Sequence, residues 1–84
     1  AQNRLMDPAL MELSVGEKTP IEEPHEGEEF GLVLGGSIDL ILGGKVFKLK
    51  KGECFYFKAN KKHYIENRRK NRALVLWVSS PPNF

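Results

Sequence analysis

The chain has 84 residues, 29% of them charged, with a net charge of +2 and a single cysteine, Cys54. That length allows one domain with one core, and it leaves pairing with a second copy as a natural source of further buried surface. The near-balanced charge gives no signature of nucleic-acid or membrane binding, a lone cysteine excludes an internal disulfide, and no apolar run nears the roughly 20 residues that cross a bilayer.

Ala1-Gln2-Asn3-Arg4 lacks the layout of a secretory signal, so a cytoplasmic location is expected. After Asp7-Pro8, the run Leu10-Met11-Glu12-Leu13-Ser14-Val15 stops at Gly16 and predicts a half-buried first strand. Lys18 to Glu26 reads as loop. Phe30 to Leu34 is a continuous apolar strand, which Gly35-Gly36 turns into a second strand, Ser37 to Leu42. Gly43-Gly44 then links two strand-like runs, the composition of a two-residue hairpin turn, and the return strand is Lys45 to Lys50. Lys51-Gly52 launches the aromatic strand Cys54 to Lys58, in which Cys54 reads as a small core residue. His63 to Asn67 extends again after the polar turn Asn60-Lys61-Lys62. The basic run Arg68-Arg69-Lys70-Asn71-Arg72 reads as a solvated turn, and Ala73 to Val78 makes a last strand too apolar to have a solvent face, ended by Pro81-Pro82.

Seven short strands with glycine turns and no run of helical periodicity predict an all-β fold, as two packed sheets or a small barrel. The chemistry sits in the acidic segment before the second strand, where five glutamates fall between positions 22 and 29 around His25. Crowded carboxylates are comfortable only when solvated or facing a cation, so this is a wet loop or a metal site. Counting by twos along an extended chain groups Glu23, His25 and Glu29 on one face, provided no bulge intervenes at Glu26-Gly27. Inward polar residues at 25, 29 and 63 favour the jelly roll, whose mouth holds a small pocket.

These segments resemble the cupin family. Its first motif, G-x5-H-x-H-x3-4-E-x6-G, is matched in its second half by His25-x3-Glu29-x6-Gly36. Its second, G-x5-P-x-G-x2-H-x3-N, is matched by Gly52-x5-Lys58-Ala59-Asn60-x2-His63-x3-Asn67, with Lys58 and Asn60 in place of proline and glycine. Glu23 stands where the family has its first histidine. The resemblance implies a double-stranded β-helix barrel, with residues 10–80 as the barrel and 81–84 as a tail. It also implies a divalent metal, zinc, iron, manganese or nickel, held by His25, Glu29 and His63 with Glu23 as a fourth candidate. An organic effector bound directly in a polar pocket is the other reading. Glu23, His25, Glu29 and His63, with Phe57, are the candidate ligand-binding residues.

His25 to Leu34 together with the ending Val75 to Phe84 is similar, more narrowly, to the cupin domain of bacterial regulators of the XRE-cupin type, which follows a helix-turn-helix. That similarity implies an effector-sensing, homodimeric domain, with residues 1–9 as the end of a linker and DNA reached only through an absent N-terminal domain. The alternative is a small metal-dependent cupin enzyme, a dioxygenase or isomerase, using the same residues.

Overall fold

A computed structural model describes residues 6–80. The expected tail at 81–84 and the first five residues of the N-terminal segment lie outside the described residues. Seven strands follow one another: β1 (Asp7–Leu13), β2 (Glu28–Gly35), β3 (Ser37–Leu42), β4 (Lys45–Lys50), β5 (Cys54–Lys58), β6 (His63–Glu66) and β7 (Ala73–Ser80). All pairings are antiparallel. One sheet runs β1-β7-β2-β5 and the other β4-β3-β6, and the two pack on each other as an all-β jelly roll. Among the described residues, no helix is long and apolar enough to cross a membrane.

The core forms where alternation turns apolar side chains inward. Val33, Ile38, Leu40, Ile65 and Val75 are buried between the sheets, and Phe55, Phe57 and Trp77 fill one end. Phe55 stands edge-on to Trp77 with ring centroids 5.0 Å apart, and each such ring stabilises the fold by about 2–3 kcal/mol through burial alone. Because Phe55 and Phe57 take the inward positions of β5, the alternate residues Cys54 and Tyr56 must point out. Cys54 is accordingly exposed, which corrects its reading as a core residue. The Phe55 ring lies across the backbone of its β2 neighbour at Gly31, where a Cβ would come within 2.0 Å of it. Only glycine permits that approach. At Gly36 the chain crosses from one sheet to the other with φ +70°, and a Cβ there would meet the Arg72 carbonyl.

The expected loop from Lys18 to Glu26 has more structure than its composition suggests. Its first half runs beside β6 and pairs with it: Thr19 N–H donates to Ile65 O at 3.0 Å, and Glu22 and His63 exchange two backbone hydrogen bonds of 2.9 and 3.0 Å. This covers an edge that β6 would otherwise leave open.

Two polar devices hold the far end of the barrel. Asn67 is fully buried, donates to Leu13 O at 3.1 Å and to Asn71 O at 2.8 Å, and accepts from Arg69 N–H at 2.9 Å. Asp39, buried on β3, accepts from Arg69 Nη2 at 2.9 Å, with Arg68 Nε at 3.7 Å. The basic run is therefore partly a counter-charge for a buried carboxylate, not only a solvated turn. Arg68 also donates to Glu66 at 3.0 Å, and that hydrogen bond is the main cause of its raised pKa.

Replacing Asn67 with Ala should cost about 2–3 kcal/mol in urea unfolding, since Leu13, Asn71 and Arg69 would all lose a buried partner. A loss below about 0.5 kcal/mol would mean that water replaces the side chain at little cost.

Candidate functional site

Three elements converge at the other end of the barrel. His63 opens β6, His25 follows Pro24 in the segment before β2, and Glu29 is the second residue of β2. The two imidazoles face each other with centroids 5.3 Å apart. His63 is only 1% exposed and rests against Phe57, whose ring centroid is 5.0 Å away.

Both rings are oriented the same way by the backbone. Nδ1 of His25 lies 2.9 Å from Glu26 O, and Nδ1 of His63 lies 2.9 Å from Lys61 O. A carbonyl can only accept, so in the neutral imidazole each Nδ1 carries the proton and each Nε2 presents its lone pair. Among the described residues, these two Nε2 atoms are the buried side-chain polar atoms that lack a hydrogen-bond partner. Each is 3.3 Å from the same atom, Glu22 Oε1.

The carboxylate beside the rings is thus that of Glu22. Glu23, the fourth candidate from the sequence, points to solvent with its side chain 70% exposed and lies 4.0 Å from Lys62. The count by twos that placed Glu23 with His25 does not hold. Its failure has a local cause: the Glu22–His63 bridge fixes Glu22 on the inner side, Glu23 alternates outward, and the chain then passes Pro24 and a bend at Glu26-Gly27 before β2 begins. Glu22 was legible only through its cross-strand partner, which lies 41 positions away in the sequence.

Glu29 does point inward, at 2% exposure. Its Oε1 accepts from Trp77 Nε1–H and from Ser79 Oγ–H, the latter at 2.8 Å, and its Oε2 is 3.8 Å from His25 Nε2. Trp77 and Ser79 both come from β7, and Trp77 stacks on His63 with an 18° tilt between rings. Phe57 is buried in the core and supports His63 from behind.

Glu22, His25 and His63 together offer one donor each within 4.8 Å of one another. A separation of 3.3 Å from Glu22 Oε1 to each Nε2 matches the edge of a tetrahedron whose bonds are about 2.0–2.1 Å, the range for zinc bound to nitrogen and oxygen. The Nδ1–H···O=C hydrogen bonds are of the kind that orient metal-binding imidazoles. These residues fit a divalent cation. A cavity of about 220 Å³ opens beside His63 and Glu22, walled by Met11 of β1, by Trp77 and Ser79 of β7, and by Thr19.

A comparison with curated proteins finds no match. Solved structures do share the fold. A protein of Thermus thermophilus superposes with a TM-score of 0.87 at 22% identity, over 96% of this chain and 77% of the other. The Cupin_2 domain of an XRE family transcriptional regulator from Enterobacter cloacae gives 0.83 at 20% identity, over 94% and 84%. A sugar phosphate isomerase of the cupin superfamily from Silicibacter pomeroyi gives 0.83 at 26% identity, over 94% of this chain and 52% of the other. These likenesses join a regulator and an enzyme on one barrel, so they speak to fold and not to activity. Sequence agrees with structure, since a match to the Cupin domain family runs from residue 9 to residue 79, and the chain belongs to the cupin family.

Proposed function

We propose that this chain is the effector-sensing domain of a cytoplasmic DNA-binding transcriptional regulator. In this reading it takes a small molecule into the cavity beside His63 and carries a divalent ion on Glu22, His25 and His63. The observation that carries the site is the pair of buried Nε2 lone pairs turned toward one carboxylate oxygen. Lone pairs and an anion at that spacing repel unless a cation or a proton lies among them. Glu22 and Glu29 together bring two negative charges, and the imidazoles contribute none when neutral, so a divalent ion balances the four side chains.

Each residue has a separate part. The backbone carbonyls of Glu26 and Lys61 hold the ring tautomers, and Phe57 and Trp77 hold the His63 plane. Glu29, held through Oε1 by Trp77 and Ser79, keeps Oε2 on the His25 side of the site. A bound ion would supply a Lewis-acidic point for an oxygen or nitrogen of the effector, while Met11 and Trp77 give it apolar walls. The regulator reading rests on the similarity of the segments from His25 to Leu34 and from Val75 onward to the cupin domain of XRE-cupin regulators, and the XRE family domain from Enterobacter cloacae is an instance of this fold within such a regulator. Paired copies would convey the signal to DNA through a separate domain, for which a coupling of about 1–3 kcal/mol suffices.

Chelator-stripped protein reloaded with Zn²⁺ or Ni²⁺ should take up about one ion per chain by calorimetry and elemental analysis. His63→Ala should weaken that uptake at least about 100-fold, and the emission of Trp77, stacked on His63, should respond to loading in the parent only. Unchanged uptake would remove His63 from the site, and no uptake by the parent would remove the metal.

The two carboxylates should separate in the same assay. Glu22→Gln is expected to weaken binding about 10- to 100-fold, whereas Glu29→Gln, whose remaining oxygen can still accept from Trp77 and Ser79, should cost about 10-fold or less. The reverse order would make Glu29 the principal carboxylate.

A further inference from the structure

The cavity beside His63 and Glu22 has a second polar place on its wall. Asp7, the first residue of β1, stands directly across from Ser79 of β7. That pair lies one row, roughly 7 Å of strand, beyond Ala9 and Trp77, whose indole stacks on His63. His63 itself is 1% exposed, with an Nε2 that lacks a hydrogen-bond partner. Among the described residues, the Asp7 carboxylate has no ion pair or hydrogen bond either, and no lysine or arginine lines the cavity.

Ser79 completes the pattern. Its Oγ–H is given to Glu29 Oε1 at 2.8 Å, because a carboxylate can only accept. The hydroxyl oxygen is left with lone pairs alone. Asp7 and Ser79 therefore both present acceptors to the same place, and neither has a proton to offer. Such a pair, with one member charged, suits a group that brings a positive charge and several N–H bonds.

We infer that the ligand of this cavity carries a primary ammonium group held by Asp7 and Ser79. A neutral oxygen or nitrogen at its other end would turn toward Glu22, His25 and His63. The inference rests on the sensing role proposed for the cavity and deepens it by giving the class of molecule sensed.

Charge points the same way. A divalent ion balances Glu22 and Glu29, which leaves the Asp7 carboxylate one negative charge in excess. A single ammonium closes that balance, whereas a carboxylate or phosphate worsens it. A phosphorylated ligand would need a lysine or arginine in this wall. Size limits the rest: about 220 Å³ is roughly seven waters' worth of liquid, below the roughly 300–1,000 Å³ of sites for drug-sized molecules. The ligand is thus a short chain whose carbons are covered by Ala9, Met11 and Trp77. The indole of Trp77, diagonal to Asp7 across the strand pair, also favours a cation over a neutral group.

Calorimetry with two probes tests this: an aminobutanol with its groups at opposite ends of a straight chain, and the butanediol of the same length. Each is titrated at neutral pH into zinc-loaded and into chelator-treated protein. The parent should bind the amino alcohol at least about 10-fold more tightly than the diol. Asp7→Asn keeps the shape of a half-buried side chain on an edge strand, so the variant should retain the parent's circular dichroism while the preference falls to about twofold or less. Equal binding of the two probes by the parent would overturn the inference, as would a preference that survives Asp7→Asn, or a parent that binds neither probe at millimolar concentration. Zinc uptake on the same samples separates the two proposals. Uptake without the amine preference removes the ammonium site and leaves the ion, whereas an Asp7-dependent preference without uptake keeps the ammonium site and removes the ion.

Discussion

Two backbone hydrogen bonds between Glu22 and His63 do two jobs at once. They cover the outer edge of β6, a strand of four residues, and they set the Glu22 carboxylate beside the His63 ring. Cross-strand neighbours share a face, so once the backbones pair, the side chains have no choice of side. His25, three residues further on, then meets the same carboxylate oxygen. The site thus depends less on any strand of the regular sheets than on an irregular segment pinned to one of them.

The barrel answers its inward-turned carboxylates in two ways. Asp39 is answered from within by Arg68 and Arg69, and that carboxylate is part of the framework. Glu22 and Glu29 meet imidazoles instead, groups that can receive a cation as readily as a proton. The framework carboxylate is matched by permanent charges; the other two lie beside imidazoles, the arrangement on which the proposed ion site rests. The remaining acids of the cluster face outward, Glu23 toward Lys62 and Glu28 toward Tyr56, whose pKa is raised chiefly by that hydrogen bond.

The all-β class, the order of the strands and the glycine turns were legible because alternation and turn chemistry are local. β3, β4 and β5 begin and end where the residues say they should. Strand ends set by distant partners were less so: β1 starts at Asp7 because β7 continues to Ser80, and β2 starts at Glu28 because β5 and β7 pair with it there. The same division runs through the site. His25 and His63 come together as the family motifs imply, while the exchange of Glu23 for Glu22 and the grip of Trp77 and Ser79 on Glu29 depend on register across about fifty residues, which no local period encodes. Cys54 misleads for a related reason, because an apolar neighbourhood does not say which of two faces a residue takes.

Strands β1 and β7 form a party wall. Ala9, Met11, Trp77 and Ser79 look into the cavity, and the residues between them, Leu10, Leu76 and Val78, look away from it. Inside and outside are therefore parted by the thickness of a single sheet, with no layer of side chains between them. In the proposed sensing role, an occupied cavity would have only that distance to act across.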